Sequence, residues 1–371
     1  MLRPVVNKPR GTHVHALILR KLAPVAIAAA ALVGPTLLPA ASAQAASSPA
    51  AVVAAAKAQW QTAITHVPEQ GAGCYQASYP SLSWHAVACV AAPRIPLVPA
   101  LSHGAAKHPG PVTVGDGTDY SATVSGLISK ATGTFTNVSS NISEKGDVGG
   151  SGSQVSNSFS LQLNSQFFSG SPACSGASDP ADCQAWQQFV YTYNGGGTGD
   201  VFMQYWLIGY EASCPSGWYS YSGDCYTNSS ASEVTGITAA ELATVKLTAS
   251  AASGGNDAVS LSVGSGQAVT VTGKDSKVDL ASYWNTTEWG VFGDGGGSAA
   301  DFGSSNTLEA QTALTATGSS APGCVAEGFT GETNNLKLTA TPALGSESSP
   351  TMASEQTDGS SGSASCAVAA G

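Results

Sequence analysis

The sequence predicts an all-β fold: a two-sheet antiparallel β-sandwich of jelly-roll type, with a short helical, disulfide-looped N-terminal segment. Three observations carry this. From Val112 to about Leu344, short runs rich in Val, Thr, Ser, Leu and aromatics alternate and are separated by glycine turns. One plausible helical turn interrupts them, near Thr238–Leu242. Eight cysteines in a 371-residue chain cluster in neighbouring pairs.

Taken in order, Arg3, Lys8, Arg10, Arg20 and Lys21 precede an apolar run from Leu22 to Leu38, and Ala41-Ser42-Ala43 follows. This reads as a secretory signal over residues 1–43, cut after Ala43 or Ala45. Pro24, Gly34 and Pro35 interrupt the run, which is short for a membrane span, so the expected product is exported and soluble. Residues 44–111 differ in composition from the rest. Ser48 and Pro49 suit the first turn of an alanine-rich helix reaching about Thr65, with Trp60 and Ile64 on one stripe. A Cys74–Cys89 loop and a Pro-rich linker, Ala92 to Pro111, follow. His66, His85, His103, His108, Lys57, Arg94 and Lys107 stand here against Glu69 alone. This basic segment could dock on the acidic body as a pro-segment, or be a separate adaptor or lead-in strand.

The body, 112–344, offers candidate strands at 120–127, 131–138, 156–168, 188–193, 202–210, 242–251, 258–263, 267–272, 287–292, 307–316 and 335–341. Residues 345–371 read as a Gly/Ser-rich tail that Cys366 pins back. Local pairing predicts bridges Cys74–Cys89, Cys174–Cys183, Cys214–Cys225 and Cys324–Cys366, as an exported chain would use them.

From Pro109 onward the chain has six lysines against 23 acids and no histidine or arginine. Such a surface repels nucleic acid and anionic membrane. Without histidine the body cannot build a histidine zinc site or its own Ser-His-Asp triad. It has no phosphate-binding glycine motif either, so no cofactor or metal is expected. A calcium site from Asp294 and Asp301 stays open, although no loop has EF-hand spacing.

What remains is carboxylate, amide and aromatic chemistry on a sheet. In Thr287–Phe292, Thr287, Trp289 and Val291 point to the core while Glu288 points the other way, with Gly290 beside it leaving room for a ligand. A shielded Glu next to Trp gains proton affinity and becomes useful in proton transfer. Along Ala185–Tyr193, Phe189, Tyr191 and Tyr193 share one face and Gln188 the other, with Gln187 its rival if the register slips. A Glu and a Gln over one hollow can activate a water and stabilise an oxyanion without histidine. Trp206, Tyr205, Tyr210 and Trp284 are the candidate substrate-binding aromatics, suited equally to an extracellular glycan. A glycosidase would need a second carboxylate on that face.

The ordered fragments resemble the glutamic peptidases (eqolisins), acid endopeptidases with a concanavalin-like sandwich. Ala131-Thr-Gly-Thr-Phe135 is similar to the family's "SGTF", and Gln204-Tyr-Trp-Leu-Ile-Gly-Tyr210 to its "WYEWYP". Ile237–Ala249 is similar to "ISAGDSITVTVTA", Thr287-Glu-Trp-Gly-Val-Phe292 to "AEWIVE", and Ala300-Asp-Phe-Gly303 to "ANFG". The resemblance implies Glu288 as general base and Gln188 as its amide partner, acting on a polypeptide substrate; the chain is expected to be a monomer. Ser160-Leu-Gln-Leu-Asn164 stands where the family has "WVGID", without its Trp and Asp. The chain also looks like bacterial exported proteins of unassigned function.

Overall fold

The computed structural model describes residues 48–68, 71–100, 120–318, 321–359 and 366. The expected signal segment, His103, Lys107, His108 and residues 360–365 and 367–371 of the tail lie outside the described residues. Helix α1 (Pro49–Ile64) is followed by strands β1 (Cys74–Ser78), β2 (Ile128–Thr136), β3 (Ser158–Ser165), β4 (Gln184–Asn194), β5 (Thr198–Ile208), β6 (Asp224–Asn228), β7 (Lys246–Ser250), β8 (Asn256–Val263), β9 (Gln267–Lys274), β10 (Thr286–Phe292), β11 (Thr307–Ala316) and β12 (Ser349–Asp358). They form two large sheets. The back sheet runs β1-β9-β8-β7-β2-β11-β12; the front sheet runs β6-β5-β4-β3-β10, continued by Ser121–Thr123 and Gly323–Val325. All pairings in these two sheets are antiparallel. This is the predicted sandwich.

The alternation read from the sequence is the alternation that builds the core. Phe159, Leu161, Leu163, Phe189, Tyr191 and Trp289 turn inward from the front sheet and meet Phe135, Leu247, Val259 and Val271 from the back one. Trp289 stacks on Phe135 with ring centroids 4.8 Å apart. The helical turn is there too, as Ala239–Thr244, capped by Thr238 and Glu241, which delays the next strand to Lys246. Strand β5 starts at Thr198, earlier than the turn-like glycines suggest. Gly199 serves close approach instead, since a Cβ there would lie 2.3 Å from the Tyr191 ring.

Two boundaries differ from the sequence reading. Ser349–Asp358, assigned to a tail, is strand β12 along β11. Its buried residues are Met352, Ser354 and Gln356, too polar a set to announce a strand. The first segment is also built into the sandwich, because β1 pairs with β9 residue for residue from Cys74 to Ser78. Helix α1 lies against the same edge. Trp60 donates to Ser81 O at 2.6 Å, Gln61 Nε2 to Thr244 O at 3.0 Å, and Trp60 and Ile64 pack on Ala77 and Ala268. Trp60→Ala should therefore cost about 3 kcal/mol, read as a lower urea midpoint at unchanged slope.

All four bridges join the sequence-local pairs, Cys74–Cys89, Cys174–Cys183, Cys214–Cys225 and Cys324–Cys366. They mark a chain suited to an oxidising compartment. No helix among the described residues is long and apolar enough to cross a membrane.

Candidate active site

The outer face of the front sheet carries a transverse row of polar side chains. Register places Asn228, Gln204, Gln188, Asn164, Glu288 and Ser121 opposite one another on six successive strands. Each is an outward position in a strand whose other face is turned to the core, so one alternation builds both core and row. Gln188 and Glu288 thus lie on one row, two strands apart and about 10 Å between backbones at ordinary strand spacing, with Asn164 between them.

Hydrogen bonds link the row from Gln188 to Glu288. Trp206 Nε1 donates to Gln188 Oε1 at 3.2 Å, and Gln188 Nε2 donates to Gln162 Oε1 at 3.0 Å. Asn164 Nδ2 donates both to Gln162 Oε1 at 2.9 Å and to Glu288 Oε2 at 2.7 Å. The amide that touches Glu288 is therefore Asn164's, and Gln188 reaches it through Gln162. Gln187 points the other way, into the core, where its Nε2 donates to Asp257 at 3.0 Å.

Glu288 is wholly buried, and so are Asn164 and Gln188. The N–H of Thr330 donates to Glu288 Oε2 at 3.2 Å, while Oε1 has no partner. Burial pushes the carboxyl up to about 7, and the bonds from Asn164, Phe329 and Thr330 pull against that rise. A second buried carboxyl stands close by. Glu332 is raised to about 7, chiefly by burial, and its charge adds to the rise at Glu288. Thr330 joins the two, since its N–H bonds Glu288 and its hydroxyl bonds Glu332 Oε2.

Two segments cover the row. One is 326–334, which carries Thr330 and Glu332. The other is 93–100, the linker of the sequence reading. It crosses the face in extended form, with Leu97 N donating to Gln204 Oε1 at 2.8 Å and Val98 N to Glu332 Oε1 at 2.9 Å. Asn228 Nδ2 and Tyr226 Oη donate to the carbonyls of Pro93 and Arg94 at 2.7 and 2.9 Å.

The remaining site residues fall out as follows. Trp206 is on the outer face, in a cluster with Trp186, Tyr226 and Phe329. Tyr205, Tyr210 and Trp284 belong to the core instead, Trp284 stacked on Phe189 at 5.6 Å. Adjacent strand residues cannot share a face, which separates Tyr205 from Trp206. Gly290 leaves no room for a ligand either, because a Cβ there would meet the Phe292 ring at 2.8 Å. Among the described residues no group of three or more His, Cys, Asp or Glu is placed to hold a metal ion. The sequence reading missed Glu332, Thr330 and the linking role of Gln162. The alternation Ser160-Leu-Gln-Leu-Asn164 could have supplied Gln162; the loop residues have no periodic signal.

No protein-family model and no curated protein matches the chain. Solved structures do. A scytalido-glutamic peptidase holding a peptide-based transition-state analogue is similar over 64% of this chain and 96% of that one, at 13% identity and a TM-score of 0.33. SCP-B, a member of the Eqolisin family of peptidases in complex with the tripeptide Ala-Ile-His, covers the same shares at 13% identity and a TM-score of 0.32. Both belong to the family that the sequence fragments resemble.

Proposed function

We propose that this protein is an exported endopeptidase of the glutamic type, hydrolysing peptide bonds with the ionised Glu288 carboxylate as general base. The observation that supports it best is the buried Glu288 carboxyl, which ends a hydrogen-bonded row of amides and keeps Oε1 unpartnered. In this reading Oε1 takes a proton from a water, whose oxygen forms the bond to the peptide carbonyl carbon. The oxyanion accepts the second N–H of Gln188, whose first N–H goes to Gln162. The Glu288 carboxylic acid then returns the proton to the leaving nitrogen as the C–N bond breaks. Asn164 orients Glu288, and its short bond favours the charged form against burial.

A second reading, a sandwich that binds peptide without cleaving it, is favoured by one feature. Gln162 and Asn164 occupy the space between Gln188 and Glu288, and Asn164 has both N–H groups committed. Glycan binding through the four aromatics loses its support with three of them in the core.

Digestion of an unfolded protein between pH 3 and 8 separates the two. With its carboxyl raised to about 7, Glu288 is a base only in its ionised fraction, so cleavage should climb toward the upper end of that range. Glu288→Gln should reduce cleavage at least 1,000-fold while leaving the melting temperature within a few degrees. Cleavage unchanged in that variant would remove Glu288 from the chemistry, and none by a folded Leu97→Asp protein, whose covering segment is loosened, would leave the binding reading.

A further inference from the structure

We infer that residues 93–100 are an internal peptide ligand, and that the trough they fill takes an extended polypeptide in one fixed polarity. The inference shares the site of the proposed peptidase but concerns binding, so it stands or falls separately.

The strap is held as a ligand is held, by its backbone. Besides the four bonds already described, Pro96 O accepts from Gly296 N at 2.7 Å and Val98 O from Gly331 N at 2.7 Å, while Ala100 N donates to Phe329 O at 2.9 Å. The strap runs antiparallel to 329–331, with Pro99 opposite Thr330. Backbone bonds to an extended chain give affinity for many sequences, and pockets for its side chains give selection. One such pocket exists: Leu97 is fully buried against Val190, Phe202 and Ala231. Glycines let the strap come close, since a Cβ on Gly295 would lie 2.5 Å from Ile95 and one on Gly331 2.9 Å from Val98.

The fit under the neighbouring side chains is loose, unlike the core. A partly open cavity of about 60 Å³ is lined by Pro93, Ile95 and Leu97 of the strap together with Thr192, Asp200 and Asp294. A segment that had evolved as core would fill it. Pro93, Pro96 and Pro99 have no N–H to give, yet three of the five remaining strap amides (97, 98 and 100) are bonded to the trough. The strap therefore uses the trough's acceptors at Glu332 and Gln204, which an incoming peptide would need. The protein in this state is closed to other peptides, and the strap sets the register they adopt once it is displaced.

Two measurements test this. Hydrogen exchange on the unaltered full chain should show the amides of Leu97, Val98 and Ala100 exchanging at least 100-fold faster than those of Leu161 and Val190, through a local opening. Equal rates would mean that the strap unfolds only with the sandwich and is no ligand. The second uses a fluorescein-labelled octapeptide, Pro-Arg-Ile-Pro-Leu-Val-Pro-Ala, in a Glu288→Gln background so that no cleavage intervenes. Adding Leu97→Asp should tighten its binding at least 10-fold by emptying the trough. A folded Leu97→Asp protein that binds the peptide no better would overturn the inference; if that variant fails to fold, the exchange rates decide. A trough that binds the octapeptide in a protein without peptidase activity would sink the proposed chemistry and leave this inference intact.

Discussion

The protein should be more stable at pH 4 than at pH 8, with a melting temperature lower on the alkaline side by on the order of 10 °C. Five carboxyls are held far above their ordinary range, burial being the first cause in each. Glu144 is raised to about 9, Asp257 to about 8, and Glu288, Glu332 and Asp294 to about 7. Their folded values exceed their unfolded ones, so the stability linked to them is fully present below about pH 4. It is lost as pH rises through the folded values, at up to about 1.4 kcal/mol per unit for each group. The usual paired carboxylate behaves in the opposite sense. The clearest contributor is Asp257, which is hydrogen-bonded to the carboxyl of Asp275, an arrangement that requires one shared proton. Asp257→Asn replaces that proton with an amide N–H toward Asp275 and still accepts from Gln187, giving up the long bond from Ala252 at 3.3 Å. It should flatten the decline between pH 6 and 9 by several degrees. Thermal melts from pH 3 to 9 on both proteins check this; a parent that is most stable at pH 8 would refute it.

Gly133→Ala should destabilise the fold by about 3 kcal/mol. Gly133 sits mid-strand in β2, between β7 and β11, where neither neighbour lets the backbone retreat. A Cβ there would come within 2.2 Å of the Trp289 ring. The ring cannot step aside, because it stacks on Phe135 and its Nε1 donates to Thr134 O at 3.1 Å. Trp289 is next to Glu288 on β10, so the strain also reaches the row of polar side chains. Gly196→Ala is the control, with no heavy atom within 4 Å of the added carbon and an expected change near zero. Urea midpoints for both distinguish close approach from the general entropic effect of removing glycine, which is about 0.5–1 kcal/mol.

The sandwich was legible because local alternation and global burial agree along most strands, as in Phe159-x-Leu161-x-Leu163 and Phe189-x-Tyr191. The cysteine pairs were legible because each bridge is local in sequence, the longest spanning 42 residues. Placing Gln188 and Glu288 on one face also follows from alternation alone, but their separation does not. That depends on which strand lies between them, and β3 supplies Asn164 there through a pairing no local pattern encodes. Coverage of the face was hidden for the same reason. Pro93, Pro96 and Pro99 spell a linker, and only tertiary contacts turn it into a strap. Arg94 shows where the charge reading fell short, since it lies 5.4 Å over the Tyr219 ring and the strap's bonds run through its backbone.

On the proposed function, the carboxyl ending the polar row performs hydrolysis in a trough that the strap closes. The most direct measurement compares cleavage of an unfolded protein between pH 3 and 8 by Leu97→Asp and by Leu97→Asp/Glu288→Gln. Cleavage by the first, faster than by the unaltered chain, and none by the second is the predicted result. Equal cleavage by both, or none by a Leu97→Asp protein that binds the octapeptide, would contradict it.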